Sequence, residues 1–301
     1  TKVTNNQQGF KELFSWAKKL GAKITGTLVC AEHTGIYGYD LQAWLDDNRI
    51  SFSFVPALEI KKSLGIRRGK NDSVDALRIA EYAYIRRETT VLSHKPSNSI
   101  FALKALLGER KQYVRTRASL LARKEALDKY ESQESSVRRD NIIQMLTQNI
   151  QSLEKQMMQI IEADSAIHEN YKLVTTIKGI GLVNAANTIV YTNNFTSFQT
   201  ARQYACYCGI APFEHKSGTS IKGRTMVSSL GCHQLKAELS MAARSAIIND
   251  PWIHKYYKRK MAEKGDVSGA HGVVLNAIKF KLVARMFSVI KSGTPYKVMT
   301  Y

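Results

Sequence analysis

Hydrophobic residues recur along most of this chain at helical spacing. Over residues 8–20, Phe10, Leu13, Phe14, Ala17 and Leu20 fall on one helical face, and Gly21 stops the helix. The segment KITGTLVC then ends in a buried strand at Leu28 and Val29, with Glu32 following at once. Residues 39–47 carry a second helix through Tyr39, Leu41, Trp44 and Leu45. Ile50 to Val55 reads as a second short strand, stopped by Pro56, and 57–64 as a short helix. A further helix starts at Asn71 or Asp72, either of which can cap it, with Val74, Leu77, Ile79 and Ala80 on its buried face. Helix–strand–helix–strand–helix predicts an α/β domain at the N-terminus.

Residues 97–131 predict one long basic helix with a stripe of Leu103, Leu107, Val114, Ala118 and Leu121. The polar break ESQESSVRRD separates it from a second helix, in which Ile143, Leu146, Ile150, Leu153, Met157 and Ile160 form a heptad seam. Either the two helices make an antiparallel hairpin or the seam recruits another chain. Beyond Tyr171, LVTTIKGIGLVNAANTIVYT predicts two helices around a turn at Gly179 and Gly181. This is a helix-hairpin-helix-like unit, whose turn amides and following helix N-terminus face a phosphate. Helices at 233–248 and 252–263 and a last one with Val274, Ile278, Leu282, Met286 and Val289 make the C-terminal part mostly α-helical. Between them, Gly209 to Gly231 is polar and basic, and reads as a loop held between two packed helices. Its Ser217-Gly218 on its own is an ordinary solvated turn.

The length of 301 residues suits several domains, placed at 1–95, 96–165 and 166–301. Charge narrows the partners: 44 Lys and Arg stand against 25 Asp and Glu, a net of +19, which favours a polyanion. No run reaches the ~18 apolar residues of a membrane span and no signal peptide is visible, so nucleic acid is preferred to a membrane and the cytoplasm to export. The basic candidates for nucleic-acid contact are Arg67, Arg68 and Lys70; Arg110, Lys111 and Arg115; Lys178 with Gly179 and Gly181; and Lys216, Lys222 and Arg224. Cys206 and Cys208 form a C-x-C without a second pair, so Cys30, Cys206, Cys208 and Cys232 read as free thiols.

Three carboxylates stand out against this basic background: Glu32 at a strand end, and Asp72 and Asp75 in the first turn of a helix. Hard oxygen donors suit Mg²⁺ or Mn²⁺, and such an ion polarises a phosphate and stabilises its leaving oxygen. The plainer reading of Asp72 and Asp75 is favourable charge near a helix N-terminus. Ser217 has no adjacent His–Asp pair, but a metal or a clamped phosphate can activate a serine without one. His215, Lys216, Lys222 and Arg224 are the local clamp candidates, with loop solubility as the alternative.

AEHTGIYG, KNDSVDA, GIG, FTSFQTARQYACYCGIAP and HKSGTSIKGR follow one another in an order that resembles DEDD-type insertion-sequence transposases. These are relatives of the Piv/MooV site-specific DNA invertases, and the family includes recombinases guided by a bridge-type RNA. The resemblance implies an N-terminal RuvC-like domain of RNase H fold, which in this sequence lacks the first three strands. Glu32, Asp72 and Asp75 match the second, third and fourth acidic positions, and the first Asp has no counterpart. It further implies a coiled-coil arm, then a transposase domain carrying Ser217 as the nucleophile. Mg²⁺ or Mn²⁺ on the carboxylates of one subunit would meet the serine of another, in a homo-oligomer, a dimer or tetramer. The implied partners are double-stranded DNA, as element ends and target, and a guide RNA, in the nucleoid of a prokaryotic cytoplasm. Family members often carry Lys, Asn and Arg after the serine, where this chain has Ser229, Cys232 and Lys236. Two other readings stand beside this one. The first is a metal-dependent junction nuclease that forms no serine ester. The second is a non-catalytic nucleic-acid-binding relative.

Overall fold

The computed structural model describes residues 1–301 apart from 25, 64, 66–70, 128, 218–220, 266 and 299–301. At 36, 215–217, 221, 222 and 224 it describes the backbone. The chain forms two compact units, Thr1–Lys95 and Pro96–Tyr301.

In the first unit, α1 (Gln7–Lys19) is capped by Asn6, whose side chain accepts from the Gly9 amide at 2.9 Å. β1 (Val29–Glu32) leads through a 3₁₀ turn and α2 (Tyr39–Asp47) to β2 (Phe52–Val55). The two strands pair in parallel, from Val29 opposite Phe52 to Glu32 opposite Val55. A parallel pair needs a crossover, and the α2 segment supplies it. Phe14, Leu45, Ile50 and Phe52 form the small core, and the rings of Phe14 and Trp44 lie 4.9 Å apart. The free side of β2 is covered by Ser93, whose amide donates to Phe52 O at 2.8 Å and whose Oγ accepts from the Phe54 amide at 2.9 Å.

α3 (Ala57–Ser63) and α4 (Asp72–Arg86) pack on each other around Tyr82, whose hydroxyl donates to Glu59 Oε1 at 2.5 Å. That bond and burial set which face of α4 turns inward: Ile79 and Tyr82 pack in. Leu77 and Ala80, expected on the buried face, are exposed, because they lie on the other side of a 3.6-residue helix. Leu20 is likewise exposed, since it is the residue at which α1 ends.

The second unit opens with α5 (Asn98–Leu127) and α6 (Gln133–Ala163). They form an antiparallel hairpin, so the heptad seam finds its partner within the chain. Lys124 pairs with Asp140 at 2.8 Å, Arg117 with Thr147 at 3.3 Å and Arg110 with Glu154 at 2.7 Å. Each rung lies seven residues from the last on both helices, which is two helical turns. Leu146, Ile150, Leu153 and Met157 are buried as expected, but Ile161 rather than Ile160 continues the seam. In α5 the stripe is buried at Leu103 and Leu107 and runs out into solvent at Ala118 and Leu121, beyond the helices that cover its base. The expected polar break is mostly helix. Ser132 caps α6 by accepting from the Ser135 amide, and buried Arg139 pairs with Glu131, so polar residues continue the helix without apolar periodicity.

α7 (Ser165–Thr175), α8 (Leu182–Tyr191), α9 (Ala201–Tyr207), α10 (His233–Asn249), α11 (Pro251–Lys264) and α12 (Ala270–Ser292) build the main core. Val274, Ile278, Leu282, Met286 and Val289 of α12 are all buried there, against Leu235, Leu239, Ala242 and Ala246 of α10. The stretch expected as a loop instead holds two antiparallel strands, β3 (Pro212–Ser217) and β4 (Ile221–Val227). Their backbones satisfy each other while Phe213 and Met226 stay exposed, so the hairpin has no apolar pattern to reveal it. Among the described residues, no helix is long and apolar enough to cross a membrane.

Candidate functional site

Glu32 is the last residue of β1, and α4, which packs against β1, carries Asp72 and Asp75 in its first turn. Asn71 caps that turn, accepting from the Val74 amide at 2.9 Å. Both aspartates therefore sit where α4 leaves its first amides free, the end that favours negative charge. Asp75 pairs with Arg78 at 3.1 Å, and the exposed Asp72 with Lys2 at 3.5 Å. The donors have the chemistry of a hard divalent ion. Among the described residues, however, no three His, Cys, Asp or Glu side chains converge closely enough to hold one. Arg67, Arg68 and Lys70 lie outside the described residues.

In the second unit, Ser217 ends β3 and stands opposite Ile221. Lys216 stands opposite Lys222, and His215 opposite Gly223. Strand alternation therefore places positions 216, 222 and 224 on one face of the ribbon, and 215 and 217 on the other. A bulge between Phe213 and His215 bends the strand before it reaches the serine. The hairpin is rooted on α9: the Cys232 amide donates to Tyr207 O at 2.8 Å, and Arg202 stacks over the Phe213 ring at 5.8 Å. Cys208, just beyond α9, is buried, and desolvation pushes its thiol up to about 12, so it stays protonated. All four cysteines are free thiols.

The turn at Gly179 and Gly181 joins α7 to α8, and its two glycines do different things. Gly179 has φ of +95°, and a Cβ there would lie 2.5 Å from Ala242 O of α10. Gly181 caps α8, is exposed beside the exposed Lys178, and has open space where a Cβ would go. Lys178, Gly181 and the start of α8 are thus the open part of this turn. On the arm, Arg110 is held by Glu154, Lys111 Nζ donates to Gln234 Oε1 at 2.6 Å, and Arg115 is exposed. Three polar residues with structural partners were not singled out in the sequence: Glu59, which holds Tyr82, Gln234, which holds Lys111, and Asn187, buried in α8. Of these only Asn187 left a trace, a polar residue inside the apolar run of α8.

Residues 1–130 match a family model for IS110 DEDD enzymes, described as a transposase, and residues 171–258 match the transposase IS116/IS110/IS902 family. The chain is 31% identical over 297 residues to the pilin gene-inverting protein of Moraxella bovis, spanning 97% of this chain and 89% of that protein. The chain belongs to the IS110/IS116 transposase family. The pilin gene-inverting protein of Moraxella lacunata is similar to the same degree. An IS110 insertion-element protein of 43.6 kDa from Streptomyces coelicolor is 31% identical over 146 residues, 48% of this chain and 34% of that one. In this transposase-family chain the first match contains Glu32, Asp72 and Asp75, and implies an RNase H-like fold for that region. The second contains the Gly179–Gly181 turn and the whole Ser217 hairpin.

Proposed function

We propose that the protein is a DNA recombinase that cuts and rejoins strands through an ester between Ser217 and a DNA phosphate. The observation that carries this reading is the β3–β4 hairpin, rooted on the core with Ser217 as the last residue of β3, inside a transposase-family match. The similarity to the Moraxella pilin gene-inverting proteins supports strand rejoining over simple cleavage. In the step, Ser217 Oγ attacks phosphorus, a new P–O bond forms, and the bond to one deoxyribose oxygen breaks. The serine proton leaves Oγ as that oxygen gains one. A freed hydroxyl from another strand then attacks the ester and releases Ser217 unchanged. The bond energy is kept in the ester, so rejoining needs no nucleotide cofactor.

His215, two residues before Ser217 on the same strand, is the proposed acceptor of the serine proton. Lys216, Lys222 and Arg224 add positive charge to the same two strands as Ser217, which favours a DNA backbone beside the ribbon. Glu32, Asp72 and Asp75 are the carboxylates that would hold Mg²⁺ or Mn²⁺, which when bound supplies Lewis-acid polarisation of the phosphate. Because no three of the described acidic groups converge, the site is proposed to be completed by a further group from DNA or a second subunit in a dimer or tetramer. Double-stranded DNA and a guide RNA are the proposed partners, and the net charge of +19 suits both.

The test is to trap the protein on supercoiled DNA carrying its element ends and to map the covalently linked residue. A peptide containing phospho-linked Ser217 is expected, with no adduct in Ser217→Ala. Full recombination by Ser217→Ala would sink the ester mechanism and favour metal-dependent hydrolysis. DNA affinity is expected to fall steeply with salt, because bound phosphates release counterions.

A further inference from the structure

At the base of the arm, α5, α8 and α10 enclose a cleft of about 430 Å³. Lys104, Lys111 and Arg115 line it from α5, spaced so that one helical face presents all three. Asn187 and Tyr191 face them from α8, one turn apart, and Gln234 comes from α10. No carboxylate lines the cleft among the described residues. Lys111 is already held in place by Gln234 at 2.6 Å.

Asn187 is the informative residue. It is 3% exposed, and its Nδ2 donates to Val183 O at 2.9 Å within the helix. Its Oδ1 is buried with no hydrogen-bond partner. A buried acceptor left unpaired is costly, and native proteins keep few of them. The Asn187 residue belongs to the lining of a roomy, cationic cleft. Its natural complement is a ligand with an N–H donor on one part and negative charge on another. The cleft volume falls in the range that holds one small ligand and is far too small for a duplex.

We propose that this cleft receives a single unpaired nucleotide of a bound nucleic acid. Its phosphate lies against Lys111 and Arg115, its base against the Tyr191 ring, and one base N–H donates to Asn187 Oδ1. Every base carries such a donor, so the site reads the unpaired state and not the base identity. Strand exchange and folded RNA both produce unpaired nucleotides next to duplex. The proposal thus rests on the nucleic-acid reading above, but not on Ser217 or on a metal.

The full chain is titrated, in EDTA, against labelled duplexes that differ by one extrahelical nucleotide, in DNA and RNA versions, with 2-aminopurine at that position. Binding about tenfold tighter than to the fully paired duplex is expected, with quenching of the 2-aminopurine. The version that shows the preference identifies the source as DNA or RNA. Asn187→Leu and Arg115→Ala are each expected to reduce it severalfold. Arg115 is exposed, so that variant decides the matter if Asn187→Leu does not fold. Equal affinity for paired and unpaired duplexes, or an unchanged preference in Arg115→Ala, overturns the proposal. Loss of the Ser217 adduct with the preference intact would overturn the recombination chemistry alone.

Discussion

Gly209 and Gly231 meet backbone to backbone at the root of the Ser217 hairpin. A Cβ on Gly231 would lie 2.2 Å from Gly209 Cα, and one on Gly209 would lie 2.9 Å from Gly231 Cα. Gly209 also has φ of +66°, where other residues are strained. The two ends of the polar stretch are thus drawn together, and the ribbon leaves the core as a narrow neck. Backbone atoms cannot swing aside, so Gly231→Ala is expected to cost about 1–3 kcal/mol or more, read as a lower Tm. The same variant is expected to lose most of the Ser217–DNA adduct, because the serine is positioned through this neck.

The two glycines of the turn between α7 and α8 should separate in the same assays. Gly179→Ala meets Ala242 O and a φ of +95°, and is expected to destabilise by about 1–3 kcal/mol. Gly181→Ala meets nothing, and is expected to change Tm little. Thermal unfolding of the pair checks both statements.

Asp250 joins α10, α11 and α12. It is fully buried, accepts from the Trp252 and Ile253 amides at 2.9 and 3.1 Å, and pairs with Arg285 at 2.6 Å. The Arg285 guanidinium also stacks over Trp252 at 5.0 Å and Tyr296 at 4.5 Å. Arg285→Met leaves a buried carboxylate without its cation, and is expected to cost about 3–5 kcal/mol in chemical denaturation. Exposed pairs such as Arg259–Glu263 are expected to contribute little by comparison.

Lys279 of α12 is buried, and its ammonium donates to Ser240 Oγ at 3.2 Å. Burial, with Lys236 nearby as a lesser cause, pushes its pKa down to about 8 from 10.5. The unfolded chain therefore holds this proton more tightly than the folded one. The resulting penalty is fully present below about pH 8, and is relieved as pH rises from there towards 10.5. Lys279→Met is expected to raise Tm at pH 7, and the gain should shrink between those pH values. A gain that is flat with pH would show that the charge of Lys279 is not its source.

Much of the helical frame was legible in the sequence. The stripe of α12 is buried at every position expected, because a helix enclosed by a core must repeat apolar residues every three or four places. The acidic residues were visible as exceptions in a basic chain, and the motif order pointed to the family. The seam of α6 was visible too, but its partner was not. Apolar spacing says that a face needs covering, while the rungs at Arg110–Glu154, Arg117–Thr147 and Lys124–Asp140 show that α5 covers it. The Ser217 hairpin was invisible, since cross-strand backbone bonds carry no side-chain signature when both faces stay wet. Which way α4 turns, the closeness of Gly209 to Gly231, and the unpaired Asn187 Oδ1 were also decided only in three dimensions. Each is a relation between residues distant in sequence, fixed by packing that local patterns do not encode.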